Sequence, residues 1–110
     1  MTDTDEIRKY CRGLADRLAG KPSGSQIHAA YLDLATVTGQ LQAAVAECVR
    51  LRGESDETRE IRQALDQMKA QVRKVGLDIR LASESALLIG LQTALESALE
   101  TLDRLAQLGC

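Results

Sequence analysis

The chain has 110 residues, a formal net charge of −2, 45% apolar residues and 27% charged residues, which suits a single domain with one core. A slightly acidic chain argues against binding nucleic-acid phosphate, which requires clustered positive charge. The only histidine, His28, argues against a zinc or haem site, and we predict no cofactor.

The N-terminal sequence predicts a cytoplasmic location. Its first ten residues, MTDTDEIRKY, mix acidic and basic side chains and contain no apolar stretch of the kind a secretory signal needs. The longest apolar run, Ala86–Ile89 extended through Gly90 to Leu91, is far shorter than the roughly 20 residues of a membrane span. We therefore expect a soluble, cytoplasmic protein with no membrane partner.

The three cysteines match no CxxC metal or redox pattern, because they lie far apart in the chain. Cys11 and Cys48 fall on apolar stripes, so the sequence predicts that both are buried small hydrophobic residues. Cys110 follows Gly109 at the end of the chain, and we expect a free thiol there whose cross-linking of two chains would be incidental.

The first predicted helix spans about residues 5–19. Its apolar residues have the i, i+4, i+7, i+11 spacing of one helical face, namely Ile7, Cys11, Leu14 and Leu18. Gly20 and Pro22 end the helix, because glycine suits a left-handed cap and proline cannot continue a helix.

The second predicted helix spans about residues 25–52 and has unusually few charges. From Gln26 to Val49 only Asp33 and Glu47 are formally charged. A helix with one buried stripe normally solvates its other face with charged side chains, so we expect this helix to be covered on more than one side. We predict a dimer interface on it, formed by Ile27, Tyr31, Leu34, Leu41 and Val45.

A third segment begins at Ser55, and a fourth, leucine-rich segment runs from 83 to 108. The apolar seam changes phase near Ser83 and Ser85, but neither a proline nor a glycine-rich turn separates the two segments. Either one helix covers residues 55–108 or a kink near Ser83 divides it, and the sequence favours the continuous helix.

This geometry predicts an all-α fold that is completed by a second chain. A continuous helix over 55–108 would span about 80 Å, roughly twice the length of the second helix. Its leucine-rich overhang must be covered, and a small chain with almost no aromatic residues has little volume to do so alone. We therefore predict one domain over residues 1–110, a long antiparallel helical hairpin plus a short N-terminal helix, completed as a helical bundle by homodimerisation.

Glycine inside a helix costs about 1 kcal/mol relative to alanine. Three of the glycines inside the predicted helices are Gly39, Gly76 and Gly90. We predict that they mark close helix contacts or bends.

No group of residues predicts catalysis. His28 and Asp33 are five residues apart, which is not the i, i+3 or i, i+4 spacing that places two side chains together on a helix. Glu96, Glu100 and Asp103 share a helical stripe, but the chain lacks the Glu-x-x-His repeats of di-metal bundles. We therefore predict a protein that is not an enzyme and holds no metal.

The surplus of apolar helix predicts a protein–protein contact on the fourth segment. Helix-in-groove recognition uses the same apolar spacing as a bundle core, and acidic residues beside it would match a basic edge of the partner. The predicted protein-binding residues are Leu88, Leu91, Leu95, Leu99, Leu102, Glu96, Glu100 and Asp103.

We expect a cytoplasmic regulatory protein of the anti-activator or adaptor type. It would bind itself and one partner protein, a transcription factor or a secretion substrate, and block or modulate that partner's assembly or activity. The alternative is an export or assembly chaperone for a helical substrate. A protein lying on a lipid surface is a third hypothesis, which the shortage of lysine and arginine on the polar faces disfavours. In length and helical habit the chain resembles small bacterial export chaperones and small anti-activator proteins.

Overall fold

The structure, a computed structural model, describes residues 4–110, which form four α-helices joined by short connections. Helix α1 spans Thr4–Leu18, α2 spans Gly24–Arg52, α3 spans Asp56–Asp78 and α4 spans Glu84–Gln107. The described residues contain no β-strand, and the prediction of an all-α fold is confirmed.

Serine side chains start α2 and α3 by the same reciprocal arrangement. The Ser23 hydroxyl accepts a hydrogen bond from the backbone N–H of Gln26, whose side chain accepts one from the backbone N–H of Ser23. Ser55 and Thr58 repeat this exchange at the start of α3. Each capping box satisfies backbone donors that a helix N-terminus otherwise leaves without partners.

Helices α3 and α4 are separate, so of the two predicted alternatives the break near Ser83 is the one found, and the favoured continuous helix over 55–108 does not form. After α3 ends at Asp78, the backbone N–H groups of Leu81 and Ala82 both donate to the Asp78 carbonyl and form a tight turn. Ser83 then caps α4 by accepting a backbone N–H from its first turn. A serine N-cap begins a new helix without proline or glycine, which is why the absence of those residues was misleading.

The four helices pack against one another within a single chain. Helices α2 and α4 each contact all three others, whereas α1 and α3 make no close backbone contact in the described chain and lie at opposite corners of the bundle. The bundle measures 42 × 23 × 18 Å, with a radius of gyration of 14.0 Å. The predicted helix of about 80 Å does not form, so no overhang requires a second chain. The homodimer is therefore no longer supported by an uncovered overhang, and it stays a prediction.

A disulfide joins Cys48, in the last turn of α2, to Cys110 at the end of the chain. Cys48 is buried in the core as predicted but is also bonded, and the prediction of Cys110 as a free thiol is wrong. Their separation of 62 residues carried no signal, because the fold alone brings the two Cα atoms within 5.6 Å. Cys11 is buried as predicted, and this burial raises the pKa of its thiol to about 11.

Two of the three glycines singled out from the sequence mark close contacts, as predicted. A Cβ atom at Gly90 of α4 would lie 2.7 Å from Cγ2 of Val75 in α3, and one at Gly76 would collide with the Tyr31 side chain of α2. Gly39 has nothing within 4 Å of the position a Cβ atom would occupy. Gly90 therefore allows α3 and α4 to approach, whereas Gly39 has no packing role.

We expect Gly90→Ala to lower the free energy of unfolding by about 1 kcal/mol. Crowding a packed core contact costs about 1–3 kcal/mol, and the better helix propensity of alanine recovers about 1 kcal/mol. Gly39→Ala, the matched control, should raise the free energy of unfolding by about 0.5–1 kcal/mol, because only propensity changes. Urea denaturation measures both effects. Shifts of the same sign in the two variants would contradict the close contact at Gly90.

Candidate functional site

The leucines predicted to bind a partner lie inward. Leu91, Leu95 and Leu102 are in the core of the bundle, and Leu88 and Leu99 are partly buried and packed against it. They are core residues of this chain in the structure, and their role in partner binding stays a prediction that would require the bundle to open.

The predicted acidic residues are exposed, but two of them pair with neighbouring side chains. Asp103 pairs with Arg8 of α1, and Glu100 lies 3.1 Å from Arg104. Arg104 also reaches Glu60 of α3, at 2.7 Å. The pairs with Arg8 and Glu60 connect α4 to α1 and α3, the Glu100–Arg104 pair lies within α4, and each contributes little stability. Glu96, the third predicted acidic residue, is exposed on α4.

The predicted dimer interface is buried within the chain. Of its five residues, only Tyr31 is partly accessible, and its ring packs over Gly76 of α3. The others form part of the core, namely Ile27, Leu34, Leu41 and Val45.

The side chains that could take part in catalysis or metal binding are dispersed over the structure. His28 is exposed at the start of α2, and Asp33 lies 3.9 Å from Arg17 of α1. The buried Cys11 thiol, with its raised pKa, is protonated at neutral pH and is a poor nucleophile. Among residues 4–110, no group of three or more histidine, cysteine, aspartate or glutamate side chains could hold a metal ion. No helix in that part of the chain is long and apolar enough to cross a membrane.

The exposed large apolar side chains provide a different candidate site. Leu77 and Leu81 are 72% and 89% exposed at the C-terminus of α3 and in the following turn, and Ile89 is 64% exposed in the first turns of α4. Leu32 is also 64% exposed, but it lines neither groove described below. We call Leu77, Leu81 and Ile89 the apolar end of the bundle. Exposed apolar groups concentrated in one region are typical of interaction sites.

Two surface grooves flank the C-terminal half of α3 at the apolar end. The α2–α3 groove encloses about 750 Å³, and its lining includes Ala35, Thr38, Lys69, Ala70, Arg73 and Leu77. The α3–α4 groove encloses about 360 Å³, and its lining includes Val75, Ala86, Ile89 and Gly90. Lys74 and Asp78 of α3 border both grooves, so this half of α3 forms a ridge between an apolar groove and a more polar one.

Positive side chains surround these grooves. Lys69, Arg73, Lys74 and Arg80 lie in the C-terminal half of α3 and the following turn, and none of them forms an ion pair with another residue of 4–110. Both arginines of the N-terminal half of α3 are paired. The unpaired cations leave the apolar end with basic neighbours.

Sequence reasoning missed this site because it followed the buried seams. Leu77 and Ile89 fall outside the apolar seams of their own helices, and Leu81 lies in the turn between those helices, which the sequence pattern could have indicated. Large apolar residues off the seam have no place in the core of a bundle, so they mark either accidental exposure or a contact surface.

Comparison with known proteins reveals no relative of this chain: no family model matches it, and no curated protein or solved structure is significantly similar to it.

Proposed function

We propose that this chain is a small, non-enzymatic regulatory protein that binds one partner protein through the apolar end and thereby blocks or modulates the partner's assembly or activity. The observation that carries this proposal is the exposure of three large apolar side chains at the apolar end, which the bundle's own core leaves uncovered. Burying a leucine or isoleucine side chain fully contributes about 1.5–3 kcal/mol, so a partner covering all three gains on the order of 5 kcal/mol before the costs of association.

The mechanism we propose is occlusion of an apolar helical surface on the partner. Helical proteins assemble through apolar faces with i, i+3, i+4 and i+7 anchors, and the grooves beside α3 have the shape to receive such a face. A bound regulator would then compete with the partner's own assembly contact.

The disulfide bears on where this binding would occur. Disulfides persist in oxidising compartments and are rare in the cytosol. The Cys48–Cys110 bond therefore weighs against the predicted cytoplasmic location, which stays a prediction.

Site-specific photo-crosslinking in the native host tests the proposal. A photoreactive amino acid placed at Leu81 or at Ile89 should yield one discrete cross-linked protein, because both side chains point into solvent at the apolar end. Leu51 is the matched control position, since it is 64% exposed like Ile89 but lies in the last turn of α2, away from the apolar end. The same probe at Leu51 should give no such product.

The identity of the product separates the regulator from the chaperone. A transcription factor or signalling protein supports regulation, whereas a secreted or filament-forming protein that is degraded in the absence of this chain would move the assignment to a chaperone. No product at Leu81 and Ile89, or equal products at Leu51, would overturn the proposal.

A further inference from the structure

We propose that the α2–α3 groove binds an acidic amphipathic helix of the partner protein. This inference rests on the proposed function and specifies the chemistry of its partner: apolar anchors on one face and carboxylates beside them.

The floor of the groove fits the apolar face of a helix. Ala35, Ala70 and Leu77 line it with alkyl groups, and the Leu77 side chain is largely exposed. The groove extends along α3 from Asp66 to Asp78, which is about 18 Å of helix. A partner segment of three to four turns matches this length.

The α2 side of the groove carries no charge. Between Gln26 and Ala46 the only charged residue is Asp33, and it lies 3.9 Å from Arg17 of α1, so it faces the other neighbour of α2. No anion on the α2 wall therefore competes for the positive side chains of α3.

The α3 side supplies cations without partners. Lys69 and Arg73 are one helical turn apart, line the groove together and form no ion pair within residues 4–110. Like charges at this spacing repel each other, and a carboxylate lying between them would relieve the repulsion and form charge-assisted hydrogen bonds. Asp66 and Asp78 border the two ends of the groove and would repel an acidic helix that shifted along it. Charge complementarity therefore selects an acidic helix with its carboxylates near the middle.

Two synthetic helical peptides of about 14 residues provide the probe. Both carry leucines at i, i+3, i+4 and i+7, and their remaining positions are mainly glutamate in one peptide and lysine in the other. Fluorescence anisotropy with the full oxidised chain should show saturable binding of the glutamate peptide, about tenfold tighter than that of the lysine peptide. The affinity of the glutamate peptide should fall with added salt, since the contacts are exposed.

Three variants locate the binding. Lys69→Glu combined with Arg73→Glu should lower the affinity for the glutamate peptide by about tenfold or more. Ala35→Phe should also weaken it, because an exposed phenylalanine fills the groove without entering the core. Lys9→Glu combined with Arg12→Glu on α1 is the matched control and should leave the affinity unchanged, because both cations are exposed and distant from the groove.

The outcomes separate this inference from the proposed function. Equal binding of the two peptides, or loss of binding in the α1 control, would overturn the acidic-helix assignment. If light scattering shows a dimer that Ala35→Phe disrupts, a second copy occupies the groove and the assignment also fails. A cross-linked partner at Leu81 together with no peptide binding would leave the proposed function standing and reject only the acidic helix.

Discussion

Breaking the disulfide between Cys48 and Cys110 is expected to lower the free energy of unfolding by about 4 kcal/mol. The bond joins residues 62 apart, and closing a loop of that length removes conformational entropy from the unfolded chain equivalent to about 4 kcal/mol. Domains of this size have a total free energy of unfolding of about 5–15 kcal/mol, so reduction of the disulfide removes a large part of the stability. Urea denaturation of the oxidised protein, with and without dithiothreitol, measures the difference.

Cys110→Ser is the variant that isolates this effect. Cys110 is only partly buried at the chain end, so a serine there does not place a hydroxyl in the core as it would at Cys48. The variant should unfold at the same urea concentration with and without reductant. Thiol titration of the unfolded wild-type protein should find one thiol, Cys11, before reduction and three thiols after reduction. Three thiols before reduction, or wild-type stability in Cys110→Ser, would contradict the prediction.

The helices were predictable because each carries its apolar residues at helical spacing. Helix α1 begins and ends within a residue or so of its prediction, and α2 ends at Arg52 as predicted. The turn between α3 and α4 was harder, since its signals are a phase change and Ser83, and a serine also occurs inside helices. The disulfide was out of reach, because pairing of distant cysteines depends on how the helices pack and not on local pattern.

The predicted binding site on α4 stays a prediction, but the exposure of its residues was not predictable. The leucine-rich pattern predicts a binding face, yet Leu91, Leu95 and Leu102 are buried because a bundle of this size needs its leucines for the core. The residues that protrude, such as Leu77 and Ile89, lie off the seam of their helices. An amphipathic pattern shows which side is apolar, but it does not show whether the chain itself or a partner covers that side.

Leu95→Glu is expected to unfold the protein, whereas Leu81→Glu should be tolerated. Leu95 is 3% exposed, so the substitution both removes a core side chain and buries a charge with no partner. Replacing a core leucine by alanine alone costs about 2–5 kcal/mol, and the buried carboxylate adds to this, which approaches the whole stability of the domain. Leu81 is 89% exposed, so the same chemical change there should alter the free energy of unfolding by about 0.5 kcal/mol or less.

Circular dichroism at 222 nm during heating distinguishes the two variants. Leu95→Glu should lose helical signal or melt far below the wild-type temperature. Leu81→Glu should melt at nearly the same temperature as the wild type. Loss of partner binding in Leu95→Glu is then a consequence of unfolding and does not locate a contact, although the leucine lies in the segment predicted to bind. Loss of cross-linking at Ile89 in the folded Leu81→Glu variant would instead locate the contact at the apolar end. A folded Leu95→Glu protein would show that α4 does not provide the core described above.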